Sequence, residues 1–131
     1  MNKTESAYVP GVCNINMAEV AYRRKWRNIG LITAAVLLAI LLLTGASRWL
    51  RVIIFLPLVI GVVGYYQTKH RFCVSYGASG MQNAAEGSDK TKKVDAASAA
   101  KDKQFAQNIN RKSMLISVAI TTLALLLPEA Q

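Results

Sequence analysis

The residues best suited to chemistry in this 131-residue chain are one histidine and two cysteines. His70 and Cys73 lie three apart in HRFCVSYGASG (70–80), and Cys13 lies far upstream in PGVCNIN. Thiolate and imidazole are the ligands zinc favours, and thiolates also bind iron. A structural zinc site uses four ligands, and an iron–sulfur cluster usually needs four cysteines, so this set is one short. Water, the Glu19 carboxylate or another subunit would have to complete it. Two readings ask for less. One is a Cys13–Cys73 disulfide, which a reducing compartment disfavours. The other is a pair of small buried thiols beside an interfacial imidazole. The last is the default, so no cofactor is expected, with zinc or iron at Cys13, His70 and Cys73 as the alternative.

Other chemistries fail on spacing. Gly77 and Gly80 make neither a GxGxxG fingerprint nor a P-loop, which also needs a following Lys-Ser/Thr. They read as an interfacial turn, or as a small-residue helix packing on the end of the first span. The lone histidine has no evident orienting carboxylate, so no Ser-His-Asp triad can be assembled. Paired carboxylates are absent.

What must position these residues is a set of apolar runs: IGLITAAVLLAILLLTGA (29–46), VIIFLPLVIGVVGYY (52–66) and SMLISVAITTLALLLP (113–128). None contains a charge, which removes the usual sign of an ion path. A bilayer-spanning helix takes roughly 20 apolar residues. The first run suffices alone. The second extends to 49–66 if Trp49, Leu50 and a snorkelling Arg51 are counted. The third is short and needs a thin membrane or support from neighbours. A cleaved leader is the competing reading of the first run, since RRKWR precedes it and Thr44-Gly45-Ala46 follows. The long segment ahead of it and the second run directly after it favour a retained helix.

The net charge is +9. Lysine and arginine cluster before the first span and between the second and third, whereas the hairpin between spans one and two has only Arg48 and Arg51. Positive-inside bias therefore places the N-terminus and the loop 67–112 in the cytoplasm and the C-terminus outside, in what reads as a bacterial cytoplasmic membrane. No nucleic-acid role is expected, because no aromatic residues interleave with the basic ones. Arg23, Arg24, Lys25, Trp26, Arg27, Trp49, Tyr65 and Tyr66 are placed at the lipid interface, with anionic lipid as a partner.

Finer features follow. Asn16 caps the first helix and Glu19 stands three residues on, as in a capping box. Glu19 and Arg23 are spaced for an i,i+4 pair. Pro57 predicts a mid-span kink. Gly30 and Ala34 in span one, with Gly61 and Gly64 in span two, offer close helix contacts. Ser113, Ser117 and Thr121 form a hydroxyl stripe suited to packing against another helix. Residues 1–12 read as irregular, and 84 onward as a solvated loop until Asp95 caps a helix leading into span three. If span two stays helical past Tyr66, His70 and Cys73 share a face. The whole (1–131) reads as one all-α integral membrane domain of three transmembrane helices, N-terminus cytoplasmic, with helical cytoplasmic extensions. Three helices bury little surface among themselves, so the expected role is a non-catalytic subunit or assembly factor of a larger membrane complex, packed against other membrane subunits. A metal- or redox-linked protein using Cys13, His70 and Cys73 is one alternative. A homo-oligomeric channel or carrier, with Ser117 and Thr121 lining its axis, is the other.

Overall fold

A computed structural model describes residues 8–85 and 91–128. Expectations touching 1–7, Lys90 and the tail from 129 lie outside the described residues.

Helix α1 (Met17–Leu43) begins where Asn16 leaves extended backbone and its side-chain oxygen accepts the N–H of Glu19 at 3.0 Å. The cap satisfies a donor that has no partner within the helix. The helix stops at Thr44. Gly45 adopts φ 67°, the Ala46 N–H reaches back to Leu41 O (3.2 Å) and the Gly45 N–H to Leu42 O (3.4 Å). This paired closure needs a left-handed residue after the cap, which glycine supplies without strain.

The second span starts as a 3-10 helix (Arg48–Ile54) and continues as α2 (Phe55–His70). The change of winding falls two residues before Pro57. Proline has no N–H to give to the ladder.

Arg51 also departs from expectation. It does not snorkel to the surface but is 1% exposed. Its guanidinium donates to the main-chain oxygens of Ala124 (2.8 Å), Leu127 (2.7 Å) and Pro128 (3.2 Å). The last carbonyls of a helix have no partner within it and carry the negative end of its dipole. Arg51 answers both needs for the third long helix, α4 (Ala96–Leu126).

Beyond α2 the chain does not run on as helix through Cys73. Arg71 takes left-handed angles (φ 51°, ψ 49°), and the chain turns into a short helix α3 (Val74–Ser79). Two paired two-residue strands follow, β1 (Met81–Gln82) and β2 (Lys92–Lys93). Then Asp95 caps α4, accepting the Ser98 N–H (3.2 Å) and hydroxyl (2.7 Å). Of the stretch that reads as a solvated loop, 84–94, Lys92–Lys93 is held by the β1–β2 pairing, and 86–90 lie outside the described residues. α3 packs mainly on α4, where Gly77 leaves room for the Phe72 ring and the α4 backbone at Asp102, and its Tyr76 also meets Val20 at the start of α1.

In the bundle, α2 lies between α1 and α4, which share no extended contact with each other. A Cβ on Gly30 would lie 2.6 Å from Gly61 N and 2.7 Å from Pro57 O, and one on Gly64 would lie 2.9 Å from Arg27 Cα. The α1 and α2 backbones are therefore in direct contact. Ala34, Leu58 and Val62 continue that seam, and Leu41, Ile54 and Ala124 close the hairpin end. Ser113, Ser117 and Thr121 are buried within the chain, and none of their hydroxyls finds a hydrogen-bond partner. The outer faces are aliphatic, from Ile32, Val36 and Leu43 to Leu115 and Leu123. Three helices, Met17–Leu43, Arg48–His70 and Ala96–Leu126, are long and apolar enough to cross a membrane. The third of these helices is longer than its apolar run, since α4 begins well ahead of it.

Candidate functional site

The described residues outside the bundle's apolar part gather into one headpiece, built on Asn14. Its side chain accepts the Cys73 N–H (2.7 Å) and donates to Cys73 O (3.2 Å), as a neighbouring strand would. The main-chain N–H groups of Asn14 and Ile15 donate to Arg71 O, and Asn83 donates to Asn14 O (2.6 Å). Asn16 Nδ2 reaches Ala85 O at 2.9 Å. Three distant stretches, 13–16, 71–73 and 83–85, are thus laced together by asparagines that are 2% exposed or less. Buried polar groups are tolerated when paired.

Asp102, also fully buried, fastens the N-terminal segment to α4. It accepts the Tyr8 hydroxyl and the Gly11 N–H, each at 2.7 Å. Burial and the Asp102 carboxylate push the Tyr8 phenol well above its ordinary range.

Cys73 sits at the centre of the headpiece with Ile15 and Val20. Its Sγ accepts from Arg23 Nη2 at 3.0 Å. Arg23 is also paired with Glu19, and Asn83 Nδ2 donates to the same carboxylate (3.4 Å). The guanidinium stacks 5.5 Å from the Tyr22 ring and 5.8 Å from that of Tyr76. Burial and the Glu19 charge raise the Tyr76 phenol. Arg23, expected at the lipid interface, is therefore turned inward, because a carboxylate, a sulfur and two aromatic faces hold it there.

His70 and Cys73 do not share a helical face, because the chain reverses between them at Arg71. The imidazole stacks on Tyr66 (6.2 Å) and meets Phe105 edge-on (5.2 Å). Cys13 is half-buried and joined through its backbone to Val9. Neither cysteine is in a disulfide. Among the described residues, no group of three or more His, Cys, Asp or Glu side chains is placed to hold a metal ion.

At the helix surfaces, Arg24, Lys25, Trp26, Trp49 and Tyr65 are exposed, while Arg27 and Tyr66 are half-buried. Arg27 Nε donates to Asn28 Oδ1, and Lys69 lies 5.9 Å from the Tyr65 ring. The residues that sequence reasoning missed are Asn14, Asn83, Asp102 and Arg51. Each is a buried polar group whose partner is distant in the chain, so no local spacing marks it.

Comparison with known proteins returns no match: no family model, no curated protein and no solved structure aligns significantly with this chain.

Proposed function

We propose that this chain is an integral protein of a bacterial cytoplasmic membrane that serves as a non-catalytic subunit or assembly factor of a larger membrane complex. Its headpiece lies in the cytoplasm and its C-terminus outside, since the basic residues concentrate at the headpiece end. The observation that carries this reading is the trough between α1 and α4. Because those helices stand apart, the surface over α2 is open and lined by Leu31, Ala34, Ala35, Leu38, Leu58 and Ile120. In lipid, helices associate by close packing of small surfaces and not by exclusion from water. A trough with two alanines on one wall suits a further helix.

The headpiece supports a structural role. Its buried polar groups are spent on one another, and its thiol is enclosed. The hydroxyls of Ser117 and Thr121 are turned into the protomer, which leaves them unsuited to line an axis between copies.

The test is purification from native membranes in mild detergent. A second membrane protein should co-purify in fixed ratio, and a variant of the exposed Ala35, Ala35→Leu, should lose it while staying helical. Recovery of the chain alone, or only of copies of itself, would overturn the proposal.

A further inference from the structure

The face of α1 opposite α2 carries a second open groove, of about 580 Å³, that the packing of the chain leaves free. All its lining comes from the outward face of α1: Arg24, Lys25 and Asn28 stand at the end nearer the headpiece, which we call its mouth, and Ile29 and Ile32 follow them along the helix. Both cations are exposed. The ion pair among the described residues, Arg23–Glu19, involves neither of them. Asn28 spends its carbonyl oxygen on Arg27, so what it offers a ligand is its N–H2 group. The mouth thus presents donors and positive charge.

Below the mouth, Ile29, Ile32, Val36 and Ile40 make an exposed aliphatic strip along one side of α1. From Ile29 to Ile40 is about 17 Å along the axis at 1.5 Å per residue. One leaflet of hydrocarbon is roughly half the ~30 Å core. A pair of cations above a strip one leaflet deep has the chemistry of a phospholipid: an anionic headgroup over an acyl chain.

A second groove reaches the same level on the other side of α1, lined by Tyr22, Arg23 and Trp26. Its cation is already paired with Glu19 and with the Cys73 sulfur, so it has little charge to offer. Charge complementarity therefore singles out the first groove. We infer that the Arg24–Lys25–Asn28 groove is a specific site for one anionic phospholipid, held by its headgroup phosphate at the mouth and by an acyl chain along Ile29, Ile32 and Val36.

This inference rests on the membrane reading, and the two fail separately, because partner co-purification is scored independently of lipid. The test is native mass spectrometry of the detergent-solubilised protein, equilibrated with equal amounts of phosphatidylglycerol and phosphatidylcholine. One phosphatidylglycerol should be retained over phosphatidylcholine by roughly thirtyfold, the order that two cations near an anionic headgroup supply. Arg24→Gln/Lys25→Gln should abolish the preference. Arg24→Lys/Lys25→Arg should keep it, as should Arg111→Gln/Lys112→Gln, which removes two exposed cations from α4. Equal retention of both lipids, or loss of preference in the α4 variant to the same degree, overturns the site. So does a protein partner protecting Arg24 and Lys25 while no lipid is retained.

Discussion

The guanidinium of Arg51 and the main-chain oxygen of Ala124 lie 2.8 Å apart, so an arginine in the second span caps the helix that forms the third. Seventy-three residues separate the two, and the same side chain also reaches Leu127 and Pro128. Hydrogen bonds to charged groups are among the stronger ones, and buried acceptors are costly to strand. Arg51→Met should therefore destabilise the protein by roughly 3 kcal/mol, read as a lower midpoint of thermal unfolding in detergent. Arg51→Lys should recover only part of it, since an ammonium lacks the planar fork. An unchanged midpoint in Arg51→Met would show that the cap contributes nothing.

Backbone contact between Gly30 and Gly61 makes a second expectation sharp. Gly30→Ala places a methyl 2.6–2.9 Å from main-chain atoms that have no rotamer to change. Overpacking of this kind costs on the order of 1–3 kcal/mol. Ala39→Leu adds more bulk at an exposed position of the same helix and should change little. Comparable effects from the two would mean the helices do not meet at Gly30.

Cys73 and Cys13 should differ in reactivity. Cys73 is 2% exposed and Cys13 half-buried, so a maleimide should modify Cys13 first. In a Cys13→Ser background, Asn14→Ala removes both side-chain bonds to the Cys73 backbone. Opening of the headpiece should become easier by about 1.4 kcal/mol or more, and alkylation of Cys73 about tenfold faster. If Asn14→Ala leaves the rate untouched, the asparagine clamp does not govern access to the thiol.

Asp95 gives a dependence on pH. Its carboxyl is held below the ordinary value, first by the Ser98 hydroxyl and then by the Ser98 N–H. A depressed carboxylate contributes stability that is present above its unfolded pKa, about 3.9, and is lost as pH falls through the folded value. The first turn of α4 should therefore fray on acidification below about pH 4. Amide exchange at 96–98 should show this in the native chain, and Asp95→Ala should fray at neutral pH. Identical exchange in the two at pH 7 would count against the cap.

The legible parts of this fold were those with local signatures. Apolar runs located the three long helices, and Asn16 and Asp95 marked two starts because a cap's partners lie within three residues. Arg51 was misread because an arginine at the edge of an apolar run looks like a side chain bound for the interface, and the carbonyls it serves are seventy residues away. The headpiece was illegible for the same reason. Asn14, Asn83 and Asp102 resemble ordinary surface residues until 13–16, 71–73, 83–85 and α4 are brought together. The reversal at Arg71 had no glycine to announce it, so His70 and Cys73 appeared to share one helix.

The lacing of the headpiece also fixes a temporal order. Residues 8–16 leave the ribosome well before their partners Arg71, Cys73, Asn83 and Asp102. Every one of these bonds spans more than fifty residues, and closing such loops must precede any reward from the contacts. A segment made before its partners is therefore secured after them, and only a chain whose third long helix has begun to emerge can complete it. A nascent protein stopped before Asp102 would keep its two-helix hairpin with Tyr8 and Gly11 still unfastened, a state that proteases and chaperones can distinguish from the finished molecule.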